Sequence, residues 1–251
     1  MIPTSELNAL LDASGIEELW NMHVKRMAEF GFDRLIYGAT RYRTGNSLGD
    51  PDDFVLLTNH EPEYTDVFIG EGLYFHAPMV KWALHNDGAC SWSVLRDRVN
   101  NEMLSAQERR VMEFNAAHGV TAGYSISFTS VSPRTKGAIA LTARRGLSQD
   151  DADAIWAEHG EDIQALNTIV HLRILALPYT TRGRTLTARQ REVLGWVGDG
   201  KTVQDIALIM ELTPATVEKH LRLARDALCV ETTAQAVLKA AFQNQIFLLD
   251  P

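Results

Sequence analysis

The spacing of apolar residues divides the chain into helical and extended stretches. From Ser14 to Gly31, apolar Leu19, Met22, Met27 and Phe30 follow helical spacing. Ser14 with Glu17 three residues on predicts a capping box, and Gly31 suits the left-handed position past the helix end. Two short runs rich in β-formers follow, "RLIYGATRY" (34–42) and "FVLLTNH" (54–60). The turn-forming "RTGNSLGDPDD" lies between them, so the pair predicts a hairpin. "EPEYTDVFIGEG" predicts a short helix ended by Gly70 and Gly72, and "APMVKWALHN" another, with Pro78 in its first turn. Ser105 and Glu108 open a further helix that closes at Gly119. Strands at 121–130 and 136–145 flank "VSPRT" as a second hairpin. A long helix then starts near Ser148 and runs to about Leu177, with acids where the helix dipole favours them and Gly160 as a point where it can bend.

Residues 1–177 therefore predict an antiparallel sheet covered by helices on both faces, an α/β/α sandwich able to enclose a small apolar cavity. "PYTTRGRT" (178–185) is polar and aperiodic and predicts a linker. Residues 186–251 predict an all-α unit of four helices, which makes the whole chain α+β. Thr187 with Gln190 caps the first of these helices and Thr202 with Asp205 the second. Thr213, followed by Pro214, caps the third, and "TTAQAVLKAAFQNQIF" forms the last.

The middle two helices, joined by "ELT", have the form of a helix-turn-helix. In the second of them Val217, Leu221, Ala224 and Leu228 make one apolar stripe. The opposite face carries Thr216, Glu218, Lys219, His220, Arg222 and Arg225. Lys219 and Arg225 suit phosphates; Arg222 suits guanine and Glu218 cytosine. With Thr202 they form the candidate DNA-binding set. The alternative is an ordinary solvated helix face.

Charge complicates this reading. The chain holds 24 Lys+Arg against 32 Asp+Glu, yet residues from Arg184 onward carry eight of each, so the net charge of −8 belongs to the first part. A neutral DNA-binding unit does not hold DNA tightly as a lone monomer. A homodimer on an inverted-repeat operator is expected, with Val237, Ala240 and Ala241 of the last helix as one candidate contact unless they only cover their own core. The two cysteines, Cys90 and Cys229, predict reduced buried thiols in a cytoplasmic protein. The first residues lack the basic region of a signal peptide, and no apolar run is long enough for a membrane span.

The stretch from Leu186 to Ala241 resembles the DNA-binding domain of LuxR-type regulators over its whole length. The family pattern is met at Leu186, Thr187, Arg189, Glu192, Val193, Leu194, Trp196, Gly200, Lys201, Thr202, Ile206, Ala207, Thr216, Val217, His220, Leu228 and Val230. Gln190 replaces the usual Glu, and Cys229 stands where Gly usually ends the recognition helix. The first part resembles the autoinducer-binding domain of quorum-sensing LuxR proteins through "GFDRLIYGA", "SWSVL", "FNAAHGVTAGYSISF" and "GAIALTA". That resemblance implies a sandwich enclosing an acyl-homoserine lactone.

Aligned through Pro78 and Trp92, the family's pocket Tyr, Trp, Asp and Trp fall on His60, Tyr64, Ala77 and Trp92. Only the last is kept. The family Asp accepts the ligand amide, and Ala77 cannot; a buried amide left unpaired costs about 1–3 kcal/mol. With Ile36, Gly38, Phe68 and Ala140, these four residues form the candidate ligand-binding set. The resemblance implies a signal-responsive regulator whose signal is an acyl-homoserine lactone in an atypical pose or an unrelated small molecule. A sensor domain that acts constitutively or answers to a partner protein is the rival reading. No cofactor, metal or catalysis is expected: no two of His60, His76, His85 and His118 have ligand spacing, and G-x-S-x-G is absent.

Overall fold

A computed structural model describes residues 2–44, 48–95, 103–179 and 185–246. The chain divides into two compact units, Met1–Leu175 and Ala176–Pro251. In the first, α1 (Thr4–Asp12) and α2 (Ile16–Glu29) precede β1 (Phe32–Thr40) and β2 (Val55–Thr58). Next come α3 (Pro62–Thr65), which continues into a wide turn over Asp66–Gly70, a tight helical turn over Leu73–His76, α4 (Pro78–His85) and β3 (Gly88–Ser91). The unit closes with α5 (Ala106–Ala117), β4 (Gly123–Phe128), β5 (Lys136–Ala143) and α6 (Gln149–Ala176).

The five strands are antiparallel in the order β2-β1-β5-β4-β3. Both expected hairpins are present. β3 is an addition: "GACS" is short and half-buried throughout, without the alternation that marks a strand in sequence. The helix α1 was likewise not expected. The cap of α2 is also corrected. The Ser14 amide and hydroxyl both bond Glu18, at 2.9 Å each, rather than Glu17. The Ser105–Glu108 box forms as expected. α6 runs unbroken through Gly160, over which the Trp156 indole lies.

Register sorts the strand residues into two faces. One face carries Tyr37, Ile139 and Ile126 in one row and Leu35, Leu141 and Tyr124 in the next. These residues are buried against α2 and α6. Tyr37 shares a 2.8 Å hydrogen bond with His171, whose ring stacks on Phe128 at 4.1 Å. Gly137 is what lets that ring lie flat on the sheet, because a β-carbon there would strike it. His23 bonds Asn167 at 2.9 Å in the same layer.

The second unit contains α7 (Ala188–Gly198), α8 (Val203–Ile209), α9 (Pro214–Leu228) and α10 (Thr233–Phe242). Capping boxes at Thr187–Gln190, Thr202–Asp205 and Thr232–Gln235 fix three of the starts, and Thr213 caps α9. The stripe Val217, Leu221, Ala224 and Leu228 is buried in the core of this unit. Ala240 is fully buried there too, so it covers its own core and is removed from the candidate dimer contact; the large apolar side chain exposed on α10 is Leu238. Leu177, just before the expected linker, and Tyr179, within it, are fastened to Gln243, Asn244 and Gln245 by three hydrogen bonds. Residues 180–184 of that stretch lie outside the described residues.

Cys229 ends α9 in the left-handed region, φ 54°. It is exposed and Cys90 is half-buried, which corrects the expectation of two buried thiols. A side chain in the left-handed region is strained where Gly is not. Cys229→Gly is therefore expected to stabilise this unit by roughly 0.5–1 kcal/mol after the entropy of the added glycine is deducted. Its thermal midpoint should rise; a fall would show that the Cys229 side chain makes a net contribution to packing.

Candidate functional site

The opposite face of the sheet is built from small residues. One row across the five strands is Thr58, Ile36, Ala140, Ser125 and Cys90, and the next is Leu56, Gly38, Ala138, Ser127 and Gly88. Ile36, Gly38, Ala138 and Ala140 stay partly exposed although β1 and β5 are central strands. Their neighbours Tyr37, Ile139 and Leu141, pointing the other way, are almost completely buried. Small side chains on a face covered by helices leave space between the layers.

The helices over this face bring the remaining candidates together. Tyr64, Phe68, Ala77 and Trp92 belong to one apolar cluster with Leu73, Leu95, Val111 and Val120, and Ile36 and Ala140 pack against it. His60 joins by stacking on Tyr64 at 4.6 Å. Gly38 lies on the same sheet face next to Ile36, one row away. Ala77 caps α4 without a side-chain bond, and Pro78 follows it as the first helical residue.

The polar groups at this face are largely satisfied from within. The Trp92 indole N–H donates to the Ser125 hydroxyl at 3.0 Å. Ser127 donates to the Ala83 carbonyl at 2.8 Å. The Tyr64 hydroxyl donates to Asn115 at 2.9 Å, and its ring is stacked by His60, Phe68 and Phe114. Burial pushes the Tyr64 hydroxyl pKa well up. His60 Nε2 is buried without a hydrogen-bond partner, and burial, aided by the Arg34 charge, lowers the His60 pKa to about 4, so the ring is neutral. Glu108, at the start of α5, pairs with Lys81 of α4 at 3.2 Å. Burial pushes its carboxyl up, but the Ser105 bonds and Lys81 outweigh that and hold it at about 2.

Sequence reasoning missed Asn115, Ser125 and Ser127. "GYSISF" reads as a buried strand, yet its alternation of Ser with large apolar residues already separates a small polar face from a bulky one. Asn115 carries no such signal, because its role depends on where α3 and α5 meet.

In the second unit Thr202, Glu218, Lys219 and Arg222 are exposed, and Thr216, His220 and Arg225 are half-buried. Several already have intramolecular duties. The Thr202 hydroxyl caps α8. The Thr216 hydroxyl is 2.9 Å from that of Thr213. Arg225 donates to Thr233 at 2.9 Å and ties α9 to α10. Arg222 pairs with Asp226 at 3.1 Å, with both side chains about 60% exposed. Such a pair is worth only about 0.3–0.5 kcal/mol, so its guanidinium is easily given up to a stronger partner.

Among the described residues no group of three or more His, Cys, Asp or Glu could hold a metal ion, and no helix is long and apolar enough to cross a membrane.

Comparison with known proteins agrees with this division. Residues 15–174 match the autoinducer binding domain, and residues 184–240 match the luxR family of bacterial regulatory proteins. The quorum-sensing-dependent transcriptional regulator RpaR of Rhodopseudomonas palustris is 32% identical over 217 residues, covering 85% of this chain and 82% of RpaR. The transcriptional activator AnoR of Acinetobacter nosocomialis is 23% identical over 93% of this chain and 94% of its own. Among solved structures, the N-acylhomoserine-lactone-dependent LuxR family factor CepR2 of Burkholderia cenocepacia shares the fold, with a TM-score of 0.53 and 17% identity over 68% of this chain and 93% of its own. The chain belongs to the LuxR family of quorum-sensing-type transcription regulators, with an autoinducer-binding domain followed by a helix-turn-helix domain.

Proposed function

We propose that this chain is a regulator whose DNA binding responds to a small neutral signal held between the small-residue face of the sheet and the layer formed by α3, α4 and α5. One observation carries the reading: Ile36, Gly38, Ala138 and Ala140 keep solvent access in the middle of the sheet, while the reverse face of the same strands is sealed. Trp92 and Tyr64 bound this space, and Ala77 removes the carboxylate that an acyl-homoserine lactone amide would use. The signal is then a lactone in an altered pose or a different molecule. The protein acts as a homodimer on an inverted repeat, because the exposed cations of α9 are offset by Glu218 and Asp226 and one half-site gives too little affinity.

A second reading has its own support. The Tyr64 hydroxyl is satisfied by Asn115 and its ring is stacked on both sides, as expected of a site filled by its own side chains and active without a signal. A gel shift on inverted-repeat DNA, with and without an extract of the host culture, separates the two. Binding only with extract supports the signal-responsive reading; equal binding without it supports the constitutive one.

On the DNA side, Arg222→Ala is expected to lose about 1–3 kcal/mol of operator binding while folding normally. Lys219→Ala should weaken all sequences alike and flatten the salt dependence of binding. Operator affinity unchanged by Arg222→Ala would mean that α9 docks in another register.

A further inference from the structure

Trp92 is held from the far side of the sheet. Ser91, the last residue of β3, pairs with Tyr124 and so shares its face, towards α6. Trp92 follows it in the chain and reaches the other face, where its indole meets Ser125. On the α6 side a single carboxylate oxygen gathers three donors. Asp153 Oδ1 accepts from the Ser91 hydroxyl at 2.7 Å, the Tyr124 hydroxyl at 2.8 Å and the Gln149 amide at 2.9 Å.

Because a carboxylate only accepts, the Ser91 proton is committed to Asp153. The Ser91 oxygen is then left to accept, and the Ser93 hydroxyl lies 2.8 Å and the Ser93 backbone N–H 3.1 Å from it. The Gln149 amide nitrogen is 3.0 Å away, with two protons to divide among Ser91, Asp153 and the Gly123 carbonyl. Gln149 is buried and brackets Gly123, accepting from its N–H at 2.9 Å and donating to its carbonyl at 3.2 Å. That same carbonyl accepts the Trp92 backbone N–H at 3.1 Å. Ser91, which in turn holds Ser93, and Gly123, the partner of the Trp92 N–H, are therefore bonded by two side chains of α6. A bond to a charged group is worth about twice a neutral one, so Asp153 is the strongest element of this clamp.

We propose that Asp153 is a positioning residue of the signal site, setting the place of the Trp92 indole through Ser91 and the turn at 91–93. The proposal rests on Trp92 being part of that site.

The test uses the full chain labelled with 5-fluorotryptophan, whose five tryptophans give separate fluorine resonances, with that of Trp92 assigned from Trp92→Phe. Asp153→Leu is expected to shift or split the Trp92 resonance. Asp153→Asn, whose amide oxygen still accepts from Ser91 and Tyr124, should leave it near its original position. The resonance of Trp20, buried against Tyr37 in the same unit, should stay in place in both and report that this unit is folded. Should Asp153→Leu fail to fold, Ser91→Ala removes one hydroxyl from the same link and is expected to produce the same shift. A Trp92 resonance unmoved by Ser91→Ala overturns the proposal, as does one unmoved in a folded Asp153→Leu. No ligand enters this measurement. If Trp92 moves as expected while the protein never retains a small molecule, the positioning role stands and the signal reading fails.

Discussion

Lowering the pH from 7 to 5 is expected to destabilise the first unit by an amount comparable to its whole stability. Three histidines cause this. His23, His60 and His171 are each lowered to about 4, in every case first by burial; the Arg34 charge adds to the effect at His60 and Arg41 at His171, while the Asn167 bond opposes it at His23. Each ring is neutral in the fold and takes up a proton near 6.5 once the chain unfolds. The unfolded state thus binds more protons throughout the window between about 4 and 6.5. Stability is therefore complete above that window and falls as pH descends through it. At pH 5 the loss is about 2 kcal/mol per histidine and on the order of 6 kcal/mol for the three. A domain of this kind has about 5–15 kcal/mol in total. Glu108, held at about 2, begins to lose its contribution only as pH falls towards the ordinary carboxylate value of 4.5, so it adds little between pH 7 and 5. Scanning calorimetry of the full chain should show one transition moving down steeply between pH 7 and 5. His171→Gln, which keeps an acceptor for Tyr37, should remove about a third of the slope. A transition independent of pH in that interval would mean that these rings take up protons in the fold as readily as in the unfolded chain.

Ala77→Asp is expected to improve the binding of ligands that carry an amide N–H, and only those, by about ten- to a hundredfold. The range corresponds to the roughly 1.5–3 kcal/mol of a hydrogen bond to a charged acceptor. Position 77 is 5% exposed and lies in the cluster with Trp92 and Tyr64, so a carboxylate there faces little water. It would not be wholly without partners. Ala77 caps α4 with no side-chain bond, and Asp in that place accepts N–H groups from the first turn, worth about 1 kcal/mol over Ala. Capping offsets part of the cost of burial and keeps the ligand-free variant folded. Calorimetric titration of wild type and variant with a series of N-acyl homoserine lactones checks this. Nanomolar binding of such lactones by the wild type would mean that another residue supplies the acceptor. A variant that gains nothing and melts like the wild type would place residue 77 outside the site.

How much of this was legible in the sequence differs between the two units. The helix starts of the second unit were readable because each is fixed locally: Thr187 with Gln190 and Thr202 with Asp205 need only three residues of separation to cap a helix. Its buried stripe follows from helical spacing alone. In the first unit the hairpins were readable for the same reason, but β3 was not, since "GACS" is a strand only because β4 pairs with it. The site shows the same limit. Ala77 could be placed beside Pro78 and Trp92 by the family resemblance that those two residues anchor, whereas the Asn115 bond to Tyr64 and the Asp153 bond to Ser91 span 51 and 62 residues. Nothing in a local pattern encodes a bond of that reach. The last helix left two readings open for a related reason: Ala240 is small enough to suit either a dimer contact or a core, and its burial decides for the core.

The central claim is that a small molecule occupies the space over Ile36, Gly38 and Ala140 and controls DNA binding. The most direct test is a native mass spectrum of the full chain purified from its own host, recorded beside the denatured spectrum and beside that of Trp92→Ala. The account predicts an added mass of a few hundred daltons, on the order of a drug-sized ligand, that is lost on denaturation and reduced or absent in Trp92→Ala. A bare polypeptide mass from protein that still binds its operator tightly would contradict it.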